Sequence, residues 1–143
     1  MTITELRAVE ESADPSELTV LPTTVPAGFP SPALDFASET INLHEHLVHD
    51  PPSTYIARVS GSSMVNAGIS DGDHLLIRKG TQPRDGDVVV AVLDGQLTVK
   101  RLRLTSTGVL LQAENPEYPD IEVPELSELI IWGVAYMCLH SLR

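Results

Sequence analysis

The 143-residue chain sets 20 acidic side chains against 9 basic ones, a formal charge of −11, and it is 42% apolar with only 4% aromatic residues. That length fits one domain with a tail, and Val, Leu and Ile must supply most of its core. The acidity argues against direct nucleic-acid binding, which needs clustered Lys and Arg. No run approaches the ~20 apolar residues of a membrane span. The start, MTITELRAVEESADPSE, lacks the basic-then-apolar order of a signal peptide. Cys138 is the single cysteine, so an internal disulfide and a thiolate zinc cluster are both excluded, and a reducing cytoplasm is the expected location.

Residues 1–33 read as an acidic, Pro-rich arm, mobile and partly extended. Pro15, Pro22, Pro26, Pro30 and Pro32 remove amide donors and fix φ. Within the arm, Thr2 to Glu11 has at most the makings of a short frayed helix. Residues 34–143 read as the folded domain. Ser38 to His49 is predicted as a short helix with Ile41, Leu47 and Val48 as its apolar positions. Strands are then predicted over Ser53–Ser60, His74–Arg78, Asp87–Leu93, Gln96–Leu104, Val109–Ala113 and Ile130–Met137. Asp94-Gly95 is a favoured two-residue hairpin turn between the third and fourth of these. Short strands separated by Gly and Asp turns indicate a mainly β, antiparallel domain.

Two places in this domain carry candidate chemistry. Alternation in QLTVKRLRL puts Thr98, Lys100, Leu102 and Leu104 on one face and Arg101 and Arg103 on the other. A lysine desolvated beside leucines loses its preference for the charged form, and a neutral amine accepts a proton from a serine hydroxyl. In Ser60-Gly61-Ser62-Ser63-Met64 a glycine after a strand allows a sharp bend that presents a hydroxyl beside free amides. Taken alone, each place also reads as an ordinary edge lysine or polar loop, and Ser62 and Ser63 are equivalent candidates.

Together the two places resemble the LexA/UmuD family of Ser/Lys self-cleaving proteins. The likeness rests on Ser60-Gly61-Ser62-Ser63-Met64 with Gly68-Ile69-Ser70-Asp71-Gly72-Asp73, and on Asp85-Gly86-Asp87-Val88-Val89 with Leu97-Thr98-Val99-Lys100-Arg101-Leu102. It also rests on Ala27-Gly28-Phe29-Pro30 as a cleavage segment. It covers about residues 25 to 143. The resemblance implies the family's compact, signal-peptidase-like β domain. It makes Ser63, which directly precedes Met64, the nucleophile, Lys100 the general base, and Ala27-Gly28 the bond cut. Ser62 is a departure, since UmuD-type proteins more often carry an acidic or other residue there.

The resemblance further implies an SOS-response role, with cleavage stimulated by a RecA filament on single-stranded DNA. The processed homodimer would serve a UmuC-type, Y-family translesion polymerase. No cofactor or metal is expected. Only about 33 residues, acidic in balance, precede the folded part, and they are not expected to form a helix-turn-helix domain. Competing readings are a non-catalytic polymerase-binding module and a mobile-element regulator of the same fold. His44, His46 and His49 do not make an HExxH zinc motif and read as a solvated face. A Ser/His/Asp triad with His74 or His140 has nothing to position it. Cys138 and Trp132 read as core, Trp132 alternatively as interface.

Overall fold

The computed structural model describes residues 1–9, 17–20, 39–123 and 129–143, with the backbone alone for 17–20 and 39. In chain order its elements are β1 (Thr2–Ala8), β2 (Glu17–Val20), β3 (Glu39–Asn42), α1 (Leu43–Leu47), β4 (Thr54–Ser60), β5 (His74–Lys79), β6 (Val88–Leu93), β7 (Gln96–Thr105), β8 (Gly108–Gln112), β9 (Ile121–Val123) and β10 (Ile131–Leu139). They form two compact units, Met1–Val9 with Pro52–Arg143, and Glu10–Pro51.

The larger unit is an antiparallel sheet in the order β1-β4-β5-β10-β6-β7-β8-β9. A further pairing of Thr2 with Thr98 joins β1 to β7, so the strands from β1 to β7 close on themselves and β8–β9 extend from β7. All six predicted strands are present, each within two residues of its expected ends. The Asp94-Gly95 turn has positive φ at both residues, +49° and +75°, the conformation a two-residue hairpin of the right twist requires. Val90 and Val99 face one core with Met64, Leu75 and Ile77, while Val89 and Leu102 face a second with Leu111 and Val134. The β6–β7 pair is therefore covered on both faces, which accounts for the unbroken apolar run DVVVAVL.

The first residues differ from expectation. Thr2–Ala8 is neither mobile arm nor frayed helix but a strand paired along β4, from Thr2 opposite Ser60 to Ala8 opposite Tyr55. The first nine residues thus belong to the larger unit, which moves the expected boundary between residues 33 and 34. Ile3 and Leu6 both pack on the core, although a regular strand would turn them to opposite faces. A register shift between Ile3 and Glu5 resets the alternation.

In the smaller unit β2 pairs with β3, Glu17 opposite Asn42. The helix predicted over Ser38–His49 is reduced to the five residues of α1, because Thr40 and Ile41 are β-branched and pair as strand. Asn42 Oδ1 caps α1 by accepting from the Glu45 amide at 3.2 Å. Ala27-Gly28 lies outside the described residues.

Candidate active site

Strand β4 ends at Ser60, and Gly61 turns the chain with φ +103°. A Cβ at Gly61 would make only ordinary contact with the Met1 Cα, at 3.5 Å, so it is the positive φ that calls for glycine here. Met64 and Ile69 anchor the following loop in the core. Polar bonds fix the rest of the loop. The Gly61 amide donates to Asp71 Oδ1 at 2.8 Å. The Gly72 amide donates to the Val59 carbonyl at 2.9 Å, and the Val59 amide to the Asp73 carbonyl at 3.0 Å. Ser63 is fully buried on this loop, and its Oγ is hydrogen-bonded to the Met1 nitrogen.

Lys100 comes from the middle of β7, opposite Val89. It is 6% exposed between Val99 and Leu102, both fully buried. Burial holds its ammonium below the ordinary lysine value, and the Asp120 carboxylate partly opposes that shift. The Met1 nitrogen is likewise held below its usual value, by burial and by the charge of Lys100. The Met1 carbonyl accepts from the Val99 amide at 3.0 Å. The start of β1 is thus wedged between the serine loop and the lysine strand, and Ser63 and Lys100 both bear on its nitrogen.

Ser62 is different. It is exposed, its Oγ lies 3.1 Å from Tyr118 Oη, and its carbonyl accepts from Asn115 Nδ2 at 2.9 Å. Arg101 is tied to Glu114 Oε1 at 2.6 Å and to the Gly86 carbonyl at 2.7 Å, a bracing role. Sequence reasoning did not single out Asn115, Tyr118, Asp120 or Met1. The ring of Tyr118 lies 5.9 Å from Lys100 Nζ. The available signal was Asn115-Pro116-Glu117-Tyr118-Pro119-Asp120, a double-proline turn directly after a strand.

The other candidates sit elsewhere. His140 Nδ1 and Cys138 Sγ both bond the buried Asp73 carboxylate, at 2.6 and 3.3 Å. Burial alone would raise the Asp73 pKa. Hydrogen bonds from the Ser70 amide, His140 and Cys138 outweigh this and hold it below the usual carboxylate value. Burial and Asp73 push the Cys138 thiol up to about 11, which suits packing rather than nucleophilic attack. Trp132 packs on the core and meets Tyr55 edge-on, with centroids 4.9 Å apart. Among the described residues no group of His, Cys, Asp and Glu is arranged to hold a metal, and no helix is long and apolar enough to cross a membrane.

Burying Lys100 has a thermodynamic consequence. Its folded pKa is depressed, so the unfolded chain binds more protons across the window from that value up to about 10.4. Stability then rises with pH through this window. Lys100→Met is expected to melt higher than the parent at pH 7, by roughly 2–4 °C per kcal/mol gained, and the advantage should shrink as pH rises through the window. Calorimetry giving an equal or lower Tm at pH 7 would show that the lysine is not held against its charge.

A family model described as Peptidase S24-like matches residues 19–136. Protein SamA of Salmonella typhimurium is 42% identical over 118 residues, covering 82% of this chain and 81% of that protein. Protein MucA of Escherichia coli is 40% identical over 119 residues, covering 82% and 79%. A LexA repressor of Delftia acidovorans is 42% identical over 111 residues, covering 78% of this chain but 49% of the repressor.

Proposed function

This chain belongs to the Peptidase S24-like family as a UmuD-like member, and from that premise we propose that it is an SOS mutagenesis protein that cuts itself between Ala27 and Gly28. The observation that carries the reading is that the buried Ser63 Oγ and the buried Lys100, whose burial disfavours its charge, both bear on the same Met1 nitrogen.

Neutral Lys100 takes the Ser63 proton as Oγ attacks the Ala27 carbonyl carbon. The tetrahedral intermediate collapses, the Ala27–Gly28 C–N bond breaks, and Lys100 returns the proton to the leaving Gly28 amine. Water then gives a proton to Lys100 as it attacks the acyl ester, Lys100 returns that proton to the leaving Ser63 Oγ, and the freed Ala27 carboxylic acid ionises to solvent. Gly28 permits close backbone approach, and Pro26 and Pro30 favour an extended substrate. In the cutting arrangement the Met1 end of β1 has left Ser63, making room for the scissile peptide. The piece released ends at Ala27 and includes β1, so cutting also frees the flanks of β4 and β7.

A RecA filament on single-stranded DNA stimulates the reaction by binding the cutting arrangement preferentially. The processed protein acts in the cytoplasm as a homodimer that serves a UmuC-type polymerase. Incubation with RecA, single-stranded DNA and a nucleoside triphosphate should give a product beginning Gly-Phe-Pro-Ser-Pro, dimeric on sedimentation. Another new N-terminus sinks the bond assignment, no cleavage leaves the non-catalytic binding module, and a micromolar monomer removes the dimer.

A further inference from the structure

The connection from β8 to β9 grips the serine loop at one peptide group. The Ser62 carbonyl accepts from Asn115 Nδ2 at 2.9 Å and, more weakly, from the Val65 amide at 3.3 Å. The orientation of the Asn115 amide is fixed from both sides, because its Oδ1 accepts from the Glu117 amide at 3.0 Å. Its backbone is held too, since the Asn115 carbonyl accepts from the Tyr118 amide at 3.1 Å and the neighbouring Glu114 carbonyl from the Asn66 amide at 2.9 Å. The Glu114 carboxylate is paired with Arg101. Asn115 is thus a rigid donor aimed across 53 residues of sequence at one carbonyl.

That carbonyl belongs to the peptide joining Ser62 to Ser63. A trans peptide is planar, so its C=O and N–H point in opposite directions, and fixing the Ser62 oxygen fixes the direction of the Ser63 N–H. A donor on the oxygen also polarises the group and strengthens its N–H as a donor. Among the described residues no acceptor engages the Ser63 amide. Such a fixed, unengaged amide on the nucleophile's own residue is suited to stabilising an oxyanion as it forms.

We propose that Asn115 is a positioning residue for self-cleavage, holding the Ser62–Ser63 peptide so that the Ser63 N–H meets the oxyanion formed from the Ala27 carbonyl. This rests on the reading of Ser63 as nucleophile. Asn115 touches no reacting atom, so its loss costs less than the roughly 10²–10³ of deleting an oxyanion donor itself.

The test is the first-order rate of self-cleavage by the full chain across alkaline pH, beside its Tm. In Asn115→Ser the hydroxyl retains a cap on the turn but is too short to reach the Ser62 carbonyl. The plateau rate should fall about 10- to 100-fold, with the pH midpoint and Tm unmoved. A plateau within about threefold in N115S overturns the proposal. A fall accompanied by a shifted midpoint or lowered Tm also overturns it, because the loop is then merely structural. If N115S does not fold, N115A is read by the same outcomes. Ser63→Ala separates the layers: if it still cleaves, the nucleophile is wrong; if it is inert while N115S is unchanged, only the role of Asn115 fails.

Discussion

Ser63→Ala and Lys100→Ala each lose self-cleavage by at least roughly 10⁴-fold, and the double variant is no worse than either alone. Nucleophile and base act as one unit, so removing the second member costs little once the first is gone. The two serines separate because their surroundings differ. Ser63 is fully buried against the Met1 nitrogen beside Lys100. The Ser62 hydroxyl meets only the Tyr118 hydroxyl in the open, and the loop is held by the Ser62 carbonyl rather than by its side chain. Ser62→Ala should therefore keep its rate within about tenfold, the scale of a single modest hydrogen bond. Intact mass after alkaline incubation reads all four proteins. An inert Ser62→Ala beside an active Ser63→Ala would mean that the wrong serine has been chosen. Unchanged secondary structure in the alanine variants keeps loss of fold from being mistaken for loss of chemistry.

The β elements from β4 to β8 and β10 were legible because their signals are local. Apolar runs are bounded by Gly and Asp turns, and Asp94-Gly95 states its own geometry. Strand β1 was hidden for a physical reason. The register shift between Ile3 and Glu5 lets Ile3 and Leu6 face the same core, which breaks the period of two by which a half-buried strand is recognised. Its acidic and polar residues then read as solvated. Strands β2, β3 and β9, three or four residues each, are too short to show a period at all.

Alternation along β7 correctly grouped Lys100 with Leu102, both buried, but it also placed Leu104 with them, and Leu104 is 40% exposed. The strand has run past its covering layer by that point. The motif around Ser63 was legible because its residues are consecutive. Its brace was not, since Asn115 and Tyr118 reach Ser62 only through the tertiary fold. The wedging of Met1 between Ser63 and Val99 likewise depends on the closure of β1 onto β7.

Self-cleavage turns on Lys100 acting as a neutral base, and the dependence of the unstimulated cleavage rate on pH tests that directly. Only the deprotonated amine is active, so the rate should rise about tenfold per pH unit and then level off once Lys100 has lost its proton. The levelling should come below the ordinary lysine value of about 10.4, because burial lowers the Lys100 pKa by more than Asp120 raises it. Asp120→Asn removes the opposing charge, so its midpoint should move to lower pH and its rate at neutral pH should increase. The measurement is the first-order rate of the full chain and of Asp120→Asn, by intact mass from pH 6 to 11 without RecA. A rise to a plateau, displaced downward in Asp120→Asn, is the predicted result. A flat profile, a single inflection near pH 6.5 as for histidine, or a midpoint that moves upward in Asp120→Asn would contradict the role given to Lys100.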